Sequence, residues 1–145
     1  MPTPNSNALL VSGRLLLALY FLLPGVMKFA QFEMHLGLMN RHAVPAPELM
    51  LIIAGLANVI GALLLATNRH VRLVALGFVV YIVLVNFMLH DFWNFEGLEA
   101  RHELQNFIKN LGILAGLLVL AGASCKRAFS LSNILKSDSS VASET

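Results

Sequence analysis

From residue 9 onward the chain alternates long apolar runs with short polar breaks. The runs cover residues 9–29, 49–66, 71–89 and 107–123, and each has 17 to 21 residues. At a rise of about 1.5 Å per residue, a helix of that length matches the roughly 30 Å hydrocarbon layer of a bilayer. Lipid offers the backbone no hydrogen-bond partners, so a segment this long must satisfy its own, as a helix does. The pattern therefore predicts an all-α integral membrane four-helix bundle with antiparallel spans. The expected organisation is a short N-terminus (1–8), a four-span domain (9–123, spans at about 9–29, 49–66, 71–89 and 105–123) and a polar tail (124–145). The tail is expected to be disordered from about residue 137, after a short interfacial helix carrying Leu131, Ile134 and Leu135. The first span exceeds a signal-peptide core, contains Arg14 and lacks a small-x-small site after it, so it is expected to be retained.

Composition narrows the function classes. Hydrophobic residues make up 57% and charged residues 12%, about half the charge of a soluble domain. A soluble domain of this size could bury one such helix but not four. The net charge of +2 comes from basic residues scattered at span ends, where they set topology, so no nucleic-acid partner is expected. A single cysteine, Cys125, excludes an internal disulfide and any Cys-x-x-Cys redox pair.

Charge also gives a direction. One side of the expected bundle holds Arg14, Arg69, Arg72, Lys126, Arg127 and Lys136 against Asp138 and Glu144. The other holds Lys28, Arg41, Arg101 and Lys109 against Glu33, Glu48, Asp91, Glu96, Glu99 and Glu103. Basic residues favour the cytoplasm, so both termini are expected there, with the 30–48 and 90–106 loops outside. Val44-Pro45-Ala46-Pro47 predicts an extended lead-in to span two. Phe92, Trp93 and Phe95 suit the headgroup layer of the other outer loop.

Polar residues in or beside the spans are the candidates for chemistry, because a charge in hydrocarbon costs about 2.5–3.5 kcal/mol or more. Lys28 and Arg14 lie near span ends, where a long side chain can snorkel to the interface. Lys109 accompanies Asn106 and Asn110, which are four apart on one helix face, and the group predicts an inward polar patch. Asn86 and His90 share a face of span three at the same outer end. Asp91 follows at the helix C-terminus, where a carboxylate opposes the dipole and calls for a cation; Lys28, Arg101 and Lys109 are the candidates. A structural ion pair explains Asp91 as well as a site does. Asn58, at mid-depth in span two, predicts interhelical glue. The histidines lack a pair within any span, so no metal is expected. Gly112 and Gly116 permit close helix contact, either inside the bundle or in a homodimer.

Three segments resemble the DoxX-like family of small four-helix bacterial inner-membrane proteins: Gly13-Arg14-Leu15 leading to Gly25-Val26-Met27-Lys28-Phe29, then His90-Asp91-Phe92-Trp93-Asn94, then Gln105-Asn106-Phe107-Ile108-Lys109-Asn110-Leu111 with Gly116 following. The resemblance runs from about Gly13 to Gly122. Asn58 stands where family members often carry a glutamate. The family is named for a subunit of a thiosulfate:quinone oxidoreductase, and other members look like parts of membrane oxidoreductase or stress-response assemblies.

That resemblance, joined to the clustered polarity, implies a component of a quinone-linked oxidoreductase system of the bacterial inner membrane. Its expected site is a polar pocket at the periplasmic end. Within it His90, Asp91 and Lys109 are the expected catalytic groups. Lys28, Asn86, Trp93, Asn106 and Asn110 are the expected quinone-binding groups. Arg14, Asn58 and Arg101 are expected to be structural. No covalently bound cofactor is expected, and quinone is the candidate ligand. Candidate partners are the lipid bilayer, a soluble or membrane redox protein, and a second copy packed through Gly112 and Gly116. The rival reading is a non-enzymatic scaffold or accessory subunit; a small-solute transporter ranks third.

Overall fold

The computed structural model describes residues 8–127 and 136–142. The expected interfacial helix at Leu131, Ile134 and Leu135 lies outside the described residues. Among the described residues there are six α-helices, α1 (Ala8–Ala30), α2 (Phe32–Arg41), α3 (Pro47–Ala66), α4 (Val71–Leu89), α5 (Gly97–Ala123) and α6 (Asp138–Ala142), with a 3-10 turn at Phe92–Asn94. Of these, α1, α3, α4 and α5 are long and apolar enough to cross a membrane. The protein is an all-α membrane bundle.

Buried positions recur every three or four residues: Ala18, Phe21 and Gly25 on α1; Leu51, Gly55, Asn58, Ala62 and Leu65 on α3; Val71, Ala75, Phe78, Ile82 and Asn86 on α4. That spacing is the seam of helices packed side by side. Leu16, Val80, Phe87 and Val119 lie on the outside and are each exposed. On a soluble surface so much exposed apolar area would drive association; here it is the face a lipid tail covers.

Helix α1 packs most closely on α3, and α4 on α5, while α3 and α4 meet more sparsely. Glycine sets the α1–α3 approach, since a Cβ at Gly25 would fall 2.8 Å from Asn58 Cβ and 3.1 Å from the Val59 backbone N. At the bundle centre Phe21 of α1 stacks on Phe78 of α4 with ring centroids 3.8 Å apart. Gly112 and Gly116 serve no such role: a Cβ at either would meet nothing within 4 Å, and both lie on the exposed side of α5.

Three features differ from expectation. The first outer loop contains a helix, α2, whose Met39 joins Val44 and Leu51 in a second apolar cluster. The lead-in to α3 is not extended: Ala46 adopts φ 45° and ψ 58° before Pro47, and Ala43 also has a positive φ. The tail expected to be disordered from about 137 carries helix α6 over Asp138–Ala142. Asp138 is buried, its carboxylate accepts from the backbone N–H of His70 (3.0 Å) and Val71 (2.9 Å), and its own N–H donates to Asn68 O (2.8 Å). The first turn of a helix leaves N–H groups without intrahelical partners, and the tail supplies the acceptor that α4 lacks locally.

Candidate functional site: a lateral cavity beside Lys28

Because α3 and α4 meet sparsely, a gap opens between them toward the acidic end of the bundle. It is a cavity of about 180 Å³ whose wall is almost wholly apolar, with Leu51, Ala54 and Ala57 from α3 and Val85 and Met88 from α4. Helix α2 closes its outer end through Leu38 and Met39. Ile53 and Leu84 also line it and are about half exposed, so the cavity opens sideways toward lipid. The strained loop carrying Ala43 and Ala46 borders it through buried Val44.

Three chemically active side chains reach this apolar wall: Lys28, Tyr81 and His35. The Lys28 ammonium does not snorkel outward. It lies 3.5 Å from Pro24 O, one turn back toward the middle of the bundle. Side chains on a helix lean toward its N-terminus, and the turn before Lys28 offers this acceptor. Asn58, at mid-length in α3 and almost fully buried, provides a second. In one orientation its amide donates to the Tyr81 hydroxyl at 3.3 Å. In the other it donates to Ala54 O at 3.3 Å and accepts from Lys28 Nζ at 3.2 Å, which satisfies both ends of the group. The Asn58 amide thus lies within hydrogen-bond distance of both the lysine and the tyrosine. Among the described residues no ion pair includes Lys28, so its charge stands beside an apolar cavity without a carboxylate. Such a corner donates hydrogen bonds and favours an acceptor or an anion.

A second polar group lies between α1, α4 and α5. Tyr20 donates to Asn110 Oδ1 at 3.2 Å, Asn110 Nδ2 to Asn86 Oδ1 at 2.8 Å, and Asn86 Nδ2 to Phe107 O at 3.2 Å. Both asparagines are buried. The remaining expected site residues gather at the acidic end. Asp91 pairs with His42 Nδ1 at 2.7 Å and accepts from Asn94 at 2.6 Å. Its partner is therefore His42, not Lys28, Arg101 or Lys109. His90 pairs with Glu103 at 2.7 Å and not with Asp91. These contacts tie the turn after α4 to α2 and α5.

The polar residues expected to share one pocket are thus spread over three places, and of them only Lys28 lines the cavity. Lys109 and Arg101 are exposed, Asn106 is half-buried, and Trp93 sits among Phe87, Phe92 and Phe107 on the α4–α5 flank. Arg14 donates to Leu65 O and Ala66 O, closing the C-terminal turn of α3. Among the described residues no group of three His, Cys, Asp or Glu side chains could hold a metal ion. The sequence pattern singles out neither Tyr20 nor Tyr81, and it gives His42 and Glu103 no pairing partner. The tyrosines carried a usable signal, because both lie mid-span rather than in the headgroup layer where tyrosine is enriched.

Together these features define a small multi-pass helical membrane protein with a ligand-sized cavity in its lipid-facing flank. Comparison with known proteins agrees on the class of membrane protein. The chain belongs to the DoxX family, whose profile matches residues 9–91. That match contains Lys28, Asn58 and Tyr81 and ends at Asp91. The chain is also similar to inner membrane protein YphA of Escherichia coli (strain K12), with 29% identity over 113 residues, 78% of this chain and 81% of the relative. No solved structure matches.

Proposed function

We propose that this DoxX protein is a membrane component of a quinone-linked oxidoreductase system in a bacterial inner membrane, and that the α3–α4 cavity holds the quinone head. The cavity and its Lys28–Tyr81 corner are what support this reading. An apolar cavity of about 150 Å³ accommodates benzene, so about 180 Å³ suits one six-membered ring. A quinone carbonyl accepts hydrogen bonds and gains negative charge on reduction. An ammonium placed beside it therefore binds the reduced form more strongly, which is the differential interaction that catalysis requires. Lys28 or Tyr81 can pass a proton to that oxygen, while the apolar tail leaves between Ile53 and Leu84 into lipid. Two electrons and two protons convert quinone to quinol, and the electrons come from a soluble or membrane-bound donor protein. The inner-membrane placement follows the relative's name.

Binding tests the reading directly. The purified full-length protein should bind a short-chain quinone saturably, one per chain, and Lys28→Met and Tyr81→Phe should each weaken it about tenfold, as expected for a hydrogen bond lost to a buried site. Binding that does not saturate, or that ignores both substitutions, rules the site out. The pairs His42–Asp91 and His90–Glu103 favour a second reading, a non-enzymatic accessory subunit. In that reading the acidic end is held together by these contacts and presents a fixed surface to a partner.

A further inference from the structure

The opposite, basic end of the bundle carries a second concavity. The first turn of α4, the residues that follow α5 and the start of α6 enclose a groove of about 200 Å³, lined by Arg72, Leu73, Leu76, Lys126, Arg127 and Asp138 among others. Its charges do not cancel. Asp138 is occupied: it accepts from two backbone N–H groups of the α4 terminus and pairs with Arg127 at 2.9 Å. Arg72 donates through Nη1 to Ala121 O at 3.2 Å, which fixes its guanidinium against the end of α5. A guanidinium has five N–H donors, so most remain for a ligand. Neither Arg72 nor Lys126 has a carboxylate within ion-pair distance among the described residues.

The groove has two storeys. Leu76 is four residues beyond Arg72, one turn deeper on the same helix face. Leu73 and Leu76 are both exposed on the lipid-facing side of α4. A single molecule touching all four residues would set an anionic group against Arg72 and Lys126 and run an apolar chain down past the leucines. We infer that this groove is a binding site for an anionic phospholipid, with the phosphate at Arg72 and Lys126 and an acyl chain along Leu73 and Leu76. Basic pockets between spans at the cytoplasmic surface suit such headgroups, and each nearby basic residue contributes roughly fivefold in affinity. A free phosphate shares the upper storey but gains nothing from the lower one. The site is independent of the α3–α4 cavity.

The test uses the purified full-length chain in neutral detergent, with lipid retention followed by native mass spectrometry and stability by thermal unfolding. Phosphatidylglycerol should be retained and should stabilise the protein more than phosphatidylcholine, and Lys126→Gln should weaken its retention about fivefold. Arg72→Gln should do the same, and the exposed position of Lys126 keeps the first variant informative if the second fails to fold. Arg69→Gln removes an equal charge at the same end of the bundle, outside the groove, and should leave retention unchanged. Equal retention of both lipids, an equal loss in Arg69→Gln, or equal stabilisation by inorganic phosphate alone would each overturn the proposal.

Discussion

Asn110 donates to Asn86 at 2.8 Å across the α4–α5 contact, and both amides are buried. In hydrocarbon the alternative to such a bond is an unsatisfied polar group, so the pair fixes which faces of the two helices meet. The two residues are not equivalent. Asn110 also accepts from Tyr20, whereas the second bond of Asn86 goes to a backbone carbonyl of α5. Replacing Asn110 by Leu should therefore cost more than replacing Asn86, about 1–2 against about 0.6–1 kcal/mol on the scale of intramembrane bonds. Reversible unfolding in mixed micelles would measure both. A double variant less destabilised than the sum of the two singles would show that they act through each other.

The glycines of α3 make a graded prediction. A Cβ at Gly61 would fall 2.5 Å from Phe78, and one at Gly55 would fall 2.7 Å from Phe29. Phe78 is buried and stacked on Phe21, so its ring has nowhere to go; Phe29 is exposed and can swing aside. Gly61→Ala should destabilise by about 1–3 kcal/mol, as overpacking of a filled core does. Gly55→Ala should be close to neutral. Thermal unfolding of the two variants in the same detergent decides it, and equal losses would show that the α1–α3 approach matters more than the identity of the ring.

The spans were legible because bilayer thickness acts directly on length and composition, and the sequence meets it four times. The interior seam was not, because both solvents of a membrane helix are apolar: Phe21 is buried while Leu16 and Leu19 face lipid, and no contrast in hydropathy separates them. Polar residues escaped that degeneracy, so Asn58, Asn86 and Asn110 could be placed inward, although their partners could not. The direction of Lys28 was hidden because position along the span suggests snorkelling, whereas its acceptors, Pro24 O and the Asn58 amide, lie deeper. His42 was hidden by its place in an outer loop; the helix before it returns the ring to Asp91.

Lys28 predicts a conflict between stability and function. A cation beside an apolar wall, without a carboxylate, is poorly solvated until a ligand arrives. Lys28→Met keeps the volume and removes the charge, so the ligand-free variant should be more stable than the natural protein while losing quinone binding. Melting curves with and without a short-chain quinone test both halves at once. A variant that is less stable and still stabilised by quinone would mean that the ammonium serves packing alone.

Asp138 predicts a cost at the far end of the bundle, in a segment whose composition suggests no structure. Its carboxylate satisfies two N–H groups of the α4 terminus and the guanidinium of Arg127, and both side chains of that pair are about 5% exposed or less. Asp138→Ala removes all three contacts and should destabilise by about 1–2 kcal/mol, the range for a lost helix cap. Asp138→Asn keeps an acceptor for one N–H but loses the charge, so it should fall between the two. Because the pair is buried, the loss should persist at high salt, where exposed ion pairs are screened. Asp138→Ala should also be cut faster by trypsin after Lys136, because the bonds of Ser137 and Asp138 to Asn68 O hold the following residues against the α3–α4 turn. A variant whose melting point and cleavage rate both match the natural protein would show that the tail rests on α4 without holding it.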